Sequence, residues 1–446
     1  MFLPVDKNSY SSHLYIIFAI SMYLIPFSTG TGGGSFVITF AFPFLILLFF
    51  FIAGSYIVRK ERVNYPNDLK LSLLFAAINL FAIFIASLMN ENLIMSFARS
   101  VFDLFGFTIF LYIISHASKS QNAALVYSKI SQVFVWSGVI MSAYFIVNFL
   151  LAVQQNSLDK VLLERENGGL MSLPWGASNT IAGCLMMPFF LALDRAFNTK
   201  SLKFNSRAMM FLAMLLIMFA IIVTQSRNVI TTLLLGMTFV GILTKNVKST
   251  VLFLVTVITT VTAIAILSGQ DLSSIFEARI GDQAQDVGGF NGRTILWDAS
   301  IIYFALHPFS PLGYFGMLGE MGHTGHNIFL TTLLERGILG LVAYILFLIN
   351  NLGFSLKKIF DKSLSFAIRR RMTLYLIAML SILLQLQFED SNLTAQNIVY
   401  QWIFLALMYI SPYCDVPETN DGHTNKENQL AYRTGSRSTR GDKIID

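Results

Sequence analysis

The stretch GHNIFLTTLLERGILG, Gly325–Gly340, places a His-Asn pair directly before a helical apolar pattern, which continues as LVAYILFLIN. Glu335 and Arg336 interrupt the pattern at the mouth of this strongly hydrophobic segment. Burying polar and charged side chains in a membrane costs free energy. Their position beside a span therefore indicates a functional role at one face of the bilayer. The rest of the chain decides which face that is.

The composition is typical of a membrane protein. Of the 446 residues, 55% are hydrophobic and 13% are charged, whereas soluble domains carry roughly 25% charged residues. Apolar runs long enough to span a bilayer recur along the chain. They are too long and too unalternating for barrel strands, so the sequence predicts an all-α polytopic membrane protein.

The hydrophobic pattern predicts about twelve transmembrane helices. The predicted spans are 14–29, 36–58, 71–89, 97–116, 131–153, 176–193, 208–224, 229–244, 249–268, 330–354, 373–388 and 398–412. Residues 1–268 therefore hold helices 1–9 and residues 330–412 hold helices 10–12. Between them, residues 269–329 are predicted to form one large external loop, and residues 413–446 are predicted to form a polar, disordered tail.

The distribution of Lys and Arg assigns the two faces of the membrane. If the helices alternate in direction, 24 of the 31 basic residues fall on one side. Cytoplasmic loops carry the excess of such residues, so that side is predicted to be the cytoplasm, with both termini inside. These loops explain the net charge of +6 without nucleic-acid binding.

Seven basic residues remain on or beyond the opposite face, and six of them are arginines. They are Arg99, Lys160, Arg165, Arg227, Arg279, Arg293 and Arg336. Guanidinium groups are suited to bidentate contacts with phosphate. The large loop lies on the same face, and a loop of this length in a compact protein is usually functional. Its segment ASIIYFALHPF predicts a short helix lying on the bundle.

His326 is the first candidate for chemistry. A neutral imidazole at the edge of the bilayer can take a proton from a hydroxyl group. Asn327 can position the imidazole or cap the following helix, and Gly337 and Gly340 allow close packing against a neighbouring helix. The alternative is that His326 and Asn327 are ordinary interfacial residues at a helix start.

Arg227 and Arg293 face the same side as His326. Two arginines near a histidine at the outer surface suit a lipid-linked pyrophosphate, because guanidinium groups bind it and stabilise a departing negative charge. The alternative for Arg227 is that it reaches the lipid headgroups as an isolated charge. No DxD-like cluster that would hold a divalent ion lies at an outer helix end.

Several motifs resemble those of the O-antigen ligase/polymerase superfamily, and they span roughly residues 220–345. The His-[Asn/Ser/Gln]-x9-Gly-x-x-[Gly/Thr/Tyr] motif of that family is matched in full. The Pro-x-x-Gly-x-Gly element resembles Pro311–Gly316, which has one residue fewer after the proline and one extra residue between the glycines. The matching positions are His326, Asn327, Gly337 and Gly340; Ser226 and Arg227; Gly292, Arg293 and Trp297; and Pro311, Gly313 and Gly316.

The resemblance implies a GT-C-like glycosyltransferase architecture with its active site on the periplasmic face of a bacterial inner membrane. The implied donor is a glycan on undecaprenyl pyrophosphate, and the acceptor is a glycan or a lipid. No nucleotide sugar, metal or other cofactor is expected. A flippase and a chain-length regulator are the expected protein partners, beside the lipid bilayer itself.

The residues receive roles on this basis. His326 is predicted to act as base on the acceptor hydroxyl, or to orient it, while Arg227 and Arg293 hold the pyrophosphate. The predicted substrate-binding residues are Asn327, Arg279, Arg336 and Trp297. The predicted structural glycines are Gly337, Gly340 and Gly313.

Three functions remain open at this point. A polymerase would join repeat units of an O-antigen or exopolysaccharide, and a ligase would pass the polymer to lipid A-core. The motif serves both. Polymerisation is preferred because nothing in the sequence points to a lipid A-core acceptor and because superfamily members in exopolysaccharide pathways are often polymerases, which is an argument by analogy. A polysaccharide or small-solute transporter is the competing class, but the spans carry few of the midplane charges that transporters use.

Overall fold

The chain is described from a computed structural model. The described residues are 9–29, 38–59, 67–119, 123–156, 160–161, 172–197, 204–244, 250–251, 254–259, 262, 293–307, 311–317, 325–388 and 394–414. Over these ranges the chain is almost entirely helical, as predicted for an all-α polytopic membrane protein.

The helices are numbered here in chain order. They are α1 Ser9–Leu24, α2 Phe42–Arg59, α3 Asn67–Met89, α4 Leu93–Lys119, α5 Ala123–Asn156, α6 Ser178–Phe197, α7 Phe204–Val223, α8 Arg227–Thr244, α9 Arg293–Leu306, α10 Ile328–Phe360, α11 Phe366–Gln385 and α12 Ala395–Ile410. Two antiparallel ribbons of two residues per strand accompany them. They are β1 Ser28–Thr29 with β2 Ile38–Thr39, and β3 Ser172–Leu173 with β4 Gly176–Ala177.

Seven helices within the described ranges are long and apolar enough to cross a membrane. They are α3, α4, α5, α6, α7, α8 and α10. Large apolar side chains cover the outside of the bundle, with Leu339 84% exposed and Ile94 82% exposed. An apolar exterior suits a lipid environment, and the total of twelve spans stays a prediction.

The core lies around α6 and α12. Nearly every residue of both helices is buried, and α12 packs along α4 while α6 packs along α7. Gly138 on α5 lets Pro188 of α6 approach, because a Cβ at Gly138 would lie 2.5 Å from the proline ring. Helices α6 and α12 therefore form the centre around which the other helices are arranged.

Several predicted boundaries are wrong. Residues 25–29 and 38–39 form a turn and a ribbon, so α1 ends at Leu24 and α2 begins at Phe42. The helix predicted from residue 373 begins at Phe366, because Ser365 caps it by accepting a hydrogen bond from Ile368 N. The predicted span 249–268 is helical at its described positions and lies otherwise outside the described residues.

The end of α6 and the start of α7 meet the start of α11 at what we call the Arg371 end of the bundle. The guanidinium of Arg371 forms a 2.9 Å ion pair with Asp194 and lies 4.6 Å from the ring centroid of Tyr127. The Tyr127 hydroxyl lies 3.3 Å from the Asp194 carboxylate and 3.0 Å from the Tyr375 hydroxyl. This buried cluster joins α5, α6 and α11.

Candidate functional site

His326 lies in the short turn that leads into α10. Its φ of 45° is in the left-handed region, which non-glycine residues seldom adopt. Gly325 before it is buried, and the imidazole itself is half-buried. An unusual backbone conformation held in place by its surroundings is typical of functional sites, where it fixes the direction of a side chain.

Asn327 caps α10, which is one of the two roles that the sequence left open for it. Its Oδ1 accepts hydrogen bonds from Phe329 N at 3.0 Å and Leu330 N at 3.2 Å. Its Nδ2 donates to Gln387 Oε1 at 3.2 Å, and the next backbone N–H, at Ile328, donates to Leu386 O at 2.9 Å. The turn that carries His326 is therefore attached to the end of α11, and we call this region the His326 end.

Gly337 breaks α10 into two parts. Its φ of 70° and ψ of −174° belong to a region that is essentially restricted to glycine. A Cβ on Gly340 would meet the side chain of Arg336 in the same helix. The structure thus gives these two glycines a role in the break itself, and the atoms nearest to them belong to Pro311 and to Arg336 of the same helix, not to the neighbouring helix that the sequence suggested.

Arg293 and Trp297 lie on α9, which overlaps the short helix predicted for residues 299–309 but begins six residues earlier. Trp297 Nε1 donates a hydrogen bond of 3.1 Å to the Gly325 carbonyl, next to His326. Arg293 is the first residue of α9 and lies one helical turn before Trp297. One hydrogen bond therefore brings the helix of Arg293 to the turn of His326.

Arg227 is the first residue of α8 and is exposed. The sharp turn before it is closed by Gln225 N donating to Ile222 O at 2.9 Å, and Gln225 has a φ of 52°. Ser226, which is buried, accepts from Ile230 N and so begins the helix.

The path of the chain places Arg227 at the His326 end. Arg207 Nε, at the start of α7, donates to Ala196 O at the Arg371 end. Helix α7 then crosses the bundle, so α8 begins on the opposite side. Helix α8 also packs on α11, and a Cβ on Gly236 would lie 2.5 Å from Ser381 Oγ. Helix α11 ends beside Asn327. Arg227 therefore lies at the same end of the bundle as Arg293 and His326.

A third element, residues 311–317, fills the space between the α3–α4 turn and α10. Tyr314 N donates to Ala86 O at 3.0 Å, and Tyr314 O accepts from Asn90 Nδ2 at 2.7 Å and Ser96 Oγ at 2.6 Å. Gly313 has a φ of 83°, and a Cβ there would lie 2.5 Å from the backbone N of Asn90. This glycine is therefore required on both conformational and steric grounds.

The Tyr314 hydroxyl reaches a buried carboxylate. It donates to Asp103 Oδ2 at 3.0 Å, and Trp402 Nε1 lies 3.5 Å from the other oxygen. Burial raises the pKa of Tyr314 well above its ordinary value, and the negative charge of Asp103 raises it further. The phenol therefore stays protonated and remains a donor to Asp103.

Arg336 belongs to this same buried group. Its guanidinium lies 5.2 Å from the Tyr314 ring centroid and donates to Asn79 Oδ1 at 3.4 Å. Its charge also interacts with that of Asp103. Arg99, 3.6 Å from the Phe315 ring centroid, interacts in the same way with Glu335. Asp103 and Glu335 thus lie close enough to these two arginines for their charges to interact.

Arg279 lies outside the described residues. Within the described part of the chain, no group of three or more His, Cys, Asp or Glu side chains could hold a metal ion. Sequence reasoning missed the anchoring roles of Tyr314, Asp103 and Gln387, although a carboxylate inside a predicted span was a signal for Asp103.

Comparison with known proteins bears on this end of the molecule. Residues 212–345 match the family model described as O-antigen ligase. The matched segment contains Arg227, Arg293, Trp297 and the His326 turn, and it confirms the predicted resemblance to the O-antigen ligase/polymerase superfamily. A search of curated proteins found no match to the chain.

Proposed function

We propose that this protein transfers a glycan from undecaprenyl pyrophosphate to an acceptor hydroxyl at the periplasmic face of the inner membrane. The family match supports glycan transfer in O-antigen biosynthesis. The observation that carries the proposal is the Trp297–Gly325 hydrogen bond, because it attaches the helix of Arg293 to the turn of His326.

His326 is the base in this proposal. In its neutral form the imidazole accepts the proton of the acceptor hydroxyl while that oxygen attacks the anomeric carbon of the donor. The bond between that carbon and the pyrophosphate oxygen breaks, and undecaprenyl pyrophosphate leaves with the bonding electrons. The fixed backbone of the His326 turn holds the imidazole ready for this step.

Arg227 and Arg293 offset the charge of the departing pyrophosphate. Each is the first described residue of its helix, and the dipole at a helix N-terminus favours an anion. Helix α10 also begins at this end, immediately after Asn327. Donors fixed in advance stabilise the transition state without reorganisation during the reaction.

Polymerisation of O-antigen or exopolysaccharide repeat units is the activity we propose first. Ligation of the finished polymer to lipid A-core is the second candidate, and the description of the matched family as O-antigen ligase favours it. The two differ in the acceptor, while the donor and the residues that act on it are shared.

The length of the glycan on the undecaprenyl carrier, in cells lacking this protein, separates these activities. Accumulation of single repeat units without long chains is the result expected for a polymerase. Long chains that remain on the carrier would identify a ligase. Unchanged carrier-linked glycans would contradict the proposed chemistry and favour a transporter.

A further inference from the structure

We propose that α9 rests its outward face in the acyl layer of the membrane leaflet at the His326 end. The inference does not depend on the proposed chemistry. It rests on the packing of α9 against α10, on the residues α9 exposes, and on the level of Gly337 along the bundle.

Helix α9 contacts α10 and the turn that precedes it at two levels. Near its start, Trp297 donates to the carbonyl of Gly325. Near its end, Tyr303 and His307 line the same cleft as Leu333 and Gly337. The contacts occur in the same order along both helices, so α9 descends beside the first part of α10 from the level of Gly325 to that of Gly337.

The face of α9 turned away from α10 is apolar. Leu306 is 70% exposed and Ile302 is 60% exposed. The exposed residues of the helix are Ile295, Asp298, Ala299, Ile301, Ile302, Ala305 and Leu306. All but Asp298 are apolar, and a contiguous exposed apolar face of this kind marks a contact with a protein or a membrane.

The position of Gly337 indicates a membrane as the occupant. The part of α10 that follows it, residues 338–360, has 23 residues and a length of about 34 Å. This matches the roughly 30 Å hydrocarbon core of a bilayer. Helix α3 packs antiparallel to α10, with Ser72 against Asn350 and Asn79 against Arg336. Gly337 therefore lies level with the second half of α3, towards the boundary of the core at the His326 end.

The apolar face of α9 is continuous with a surface that must contact lipid. Leu339, two residues beyond the break, is 84% exposed, and Ile338 is exposed beside it. The end of α9 reaches this level. An amphipathic helix at such a boundary buries its apolar face among the acyl chains.

Nitroxide labels measure this contact in the full-length protein. In a Cys414→Ser background, whose other cysteine, Cys184, is buried, labels are placed through Ile302→Cys and Leu306→Cys. The protein is studied in nanodiscs of phosphatidylethanolamine and phosphatidylglycerol. Collision rates with oxygen, which concentrates in lipid, and with a water-soluble nickel chelate are compared.

Two matched sites calibrate the result. Leu339→Cys reports exposure to lipid, and Glu91→Cys, on the exposed α3–α4 turn, reports exposure to water. We expect oxygen to dominate at positions 302 and 306, as at 339. Dominance of the nickel chelate, as at 91, would overturn the proposal. Low collision rates with both reagents would also overturn it, because another protein surface would then cover the helix.

Discussion

At the scale of single residues, Gly337 shows how one position shapes this end of the molecule. A side chain there is strained because φ is 70° with ψ at −174°. A sequence pattern can mark a glycine as special, but it does not give the sign of φ. The role of Gly337 in breaking α10 therefore needed the structure, although the position itself stood out in the motif.

Replacing Gly337 with alanine should destabilise the protein. The cost expected for a non-glycine residue in this backbone region is about 1–3 kcal/mol. Thermal unfolding in detergent measures it, with Gly353→Ala as the control, because Gly353 lies in the same helix with open space around its Cα. Equal unfolding temperatures for the two variants would show that the break is not required.

His326 illustrates what sequence can and cannot establish about a site. The residue type and its position beside a span pointed to proton transfer. The left-handed backbone and the attachment of the turn to Leu386 and Gln387 come from contacts distant in sequence. Such contacts carry no local signal, so the sequence alone could name the residue and not the way it is held.

At the scale of elements, Asn327 performs two separable tasks. Its Oδ1 caps α10, and its Nδ2 holds the end of α11 through Gln387. Asn327→Ala should lose about 0.5–2 kcal/mol of stability through the cap. Asn327→Asp retains the capping oxygen and loses the Nδ2 donor.

Chemical unfolding of both Asn327 variants in micelles distinguishes the tasks. We expect the aspartate variant to unfold closer to the wild type than the alanine variant does, because the cap is retained. If both variants lose the same stability, the contact with Gln387 and not the cap is what matters.

The segment 311–317 is held by Tyr314, which the sequence did not single out. Tyr314→Phe removes the donor to Asp103 and leaves a buried carboxylate with one fewer partner. The expected loss of stability is about 1–3 kcal/mol. Tyr413→Phe, at an exposed position, is the matched control.

Hydrogen exchange provides a second readout for Tyr314→Phe. The segment should exchange faster in this variant than in Tyr413→Phe, because its anchor to α4 is weakened. Unchanged exchange in residues 311–317 would mean that the backbone contacts with Ala86 and Ser96 hold the segment without the phenol.

At the scale of the whole molecule, the hydrophobic pattern located most helices and assigned the fold class. It failed where polar or ribbon structure interrupts an apolar run, as at Ser28–Thr29 and Ile38–Thr39. The hydrophobic pattern also predicted, wrongly, that Arg371 lies in a loop. The structure shows Arg371 in α11 and paired with Asp194, because a buried partner can draw an arginine into a helix that hydropathy alone would start later.

The buried cluster at the Arg371 end should be the most sensitive polar group in the bundle. Asp194→Asn leaves Arg371 as an uncompensated buried charge, and the expected loss is about 3–5 kcal/mol. Yield of folded protein and thermal unfolding in detergent measure the effect. Asp361→Asn, at a partly exposed acid just beyond the end of α10, is the control, and a similar effect of both changes would show that burial of the pair is not what stabilises the bundle.

The central claim is that the His326 end transfers glycans, and reconstituted activity tests it most directly. The purified protein is placed in liposomes with a repeat unit on undecaprenyl pyrophosphate and an acceptor glycan, and the transferred product is measured. His326→Ala should lower the rate by about 10²–10⁴-fold, the range expected for loss of a general base, while thermal unfolding stays close to that of the wild type. Full activity of a correctly inserted His326→Ala protein would contradict the account.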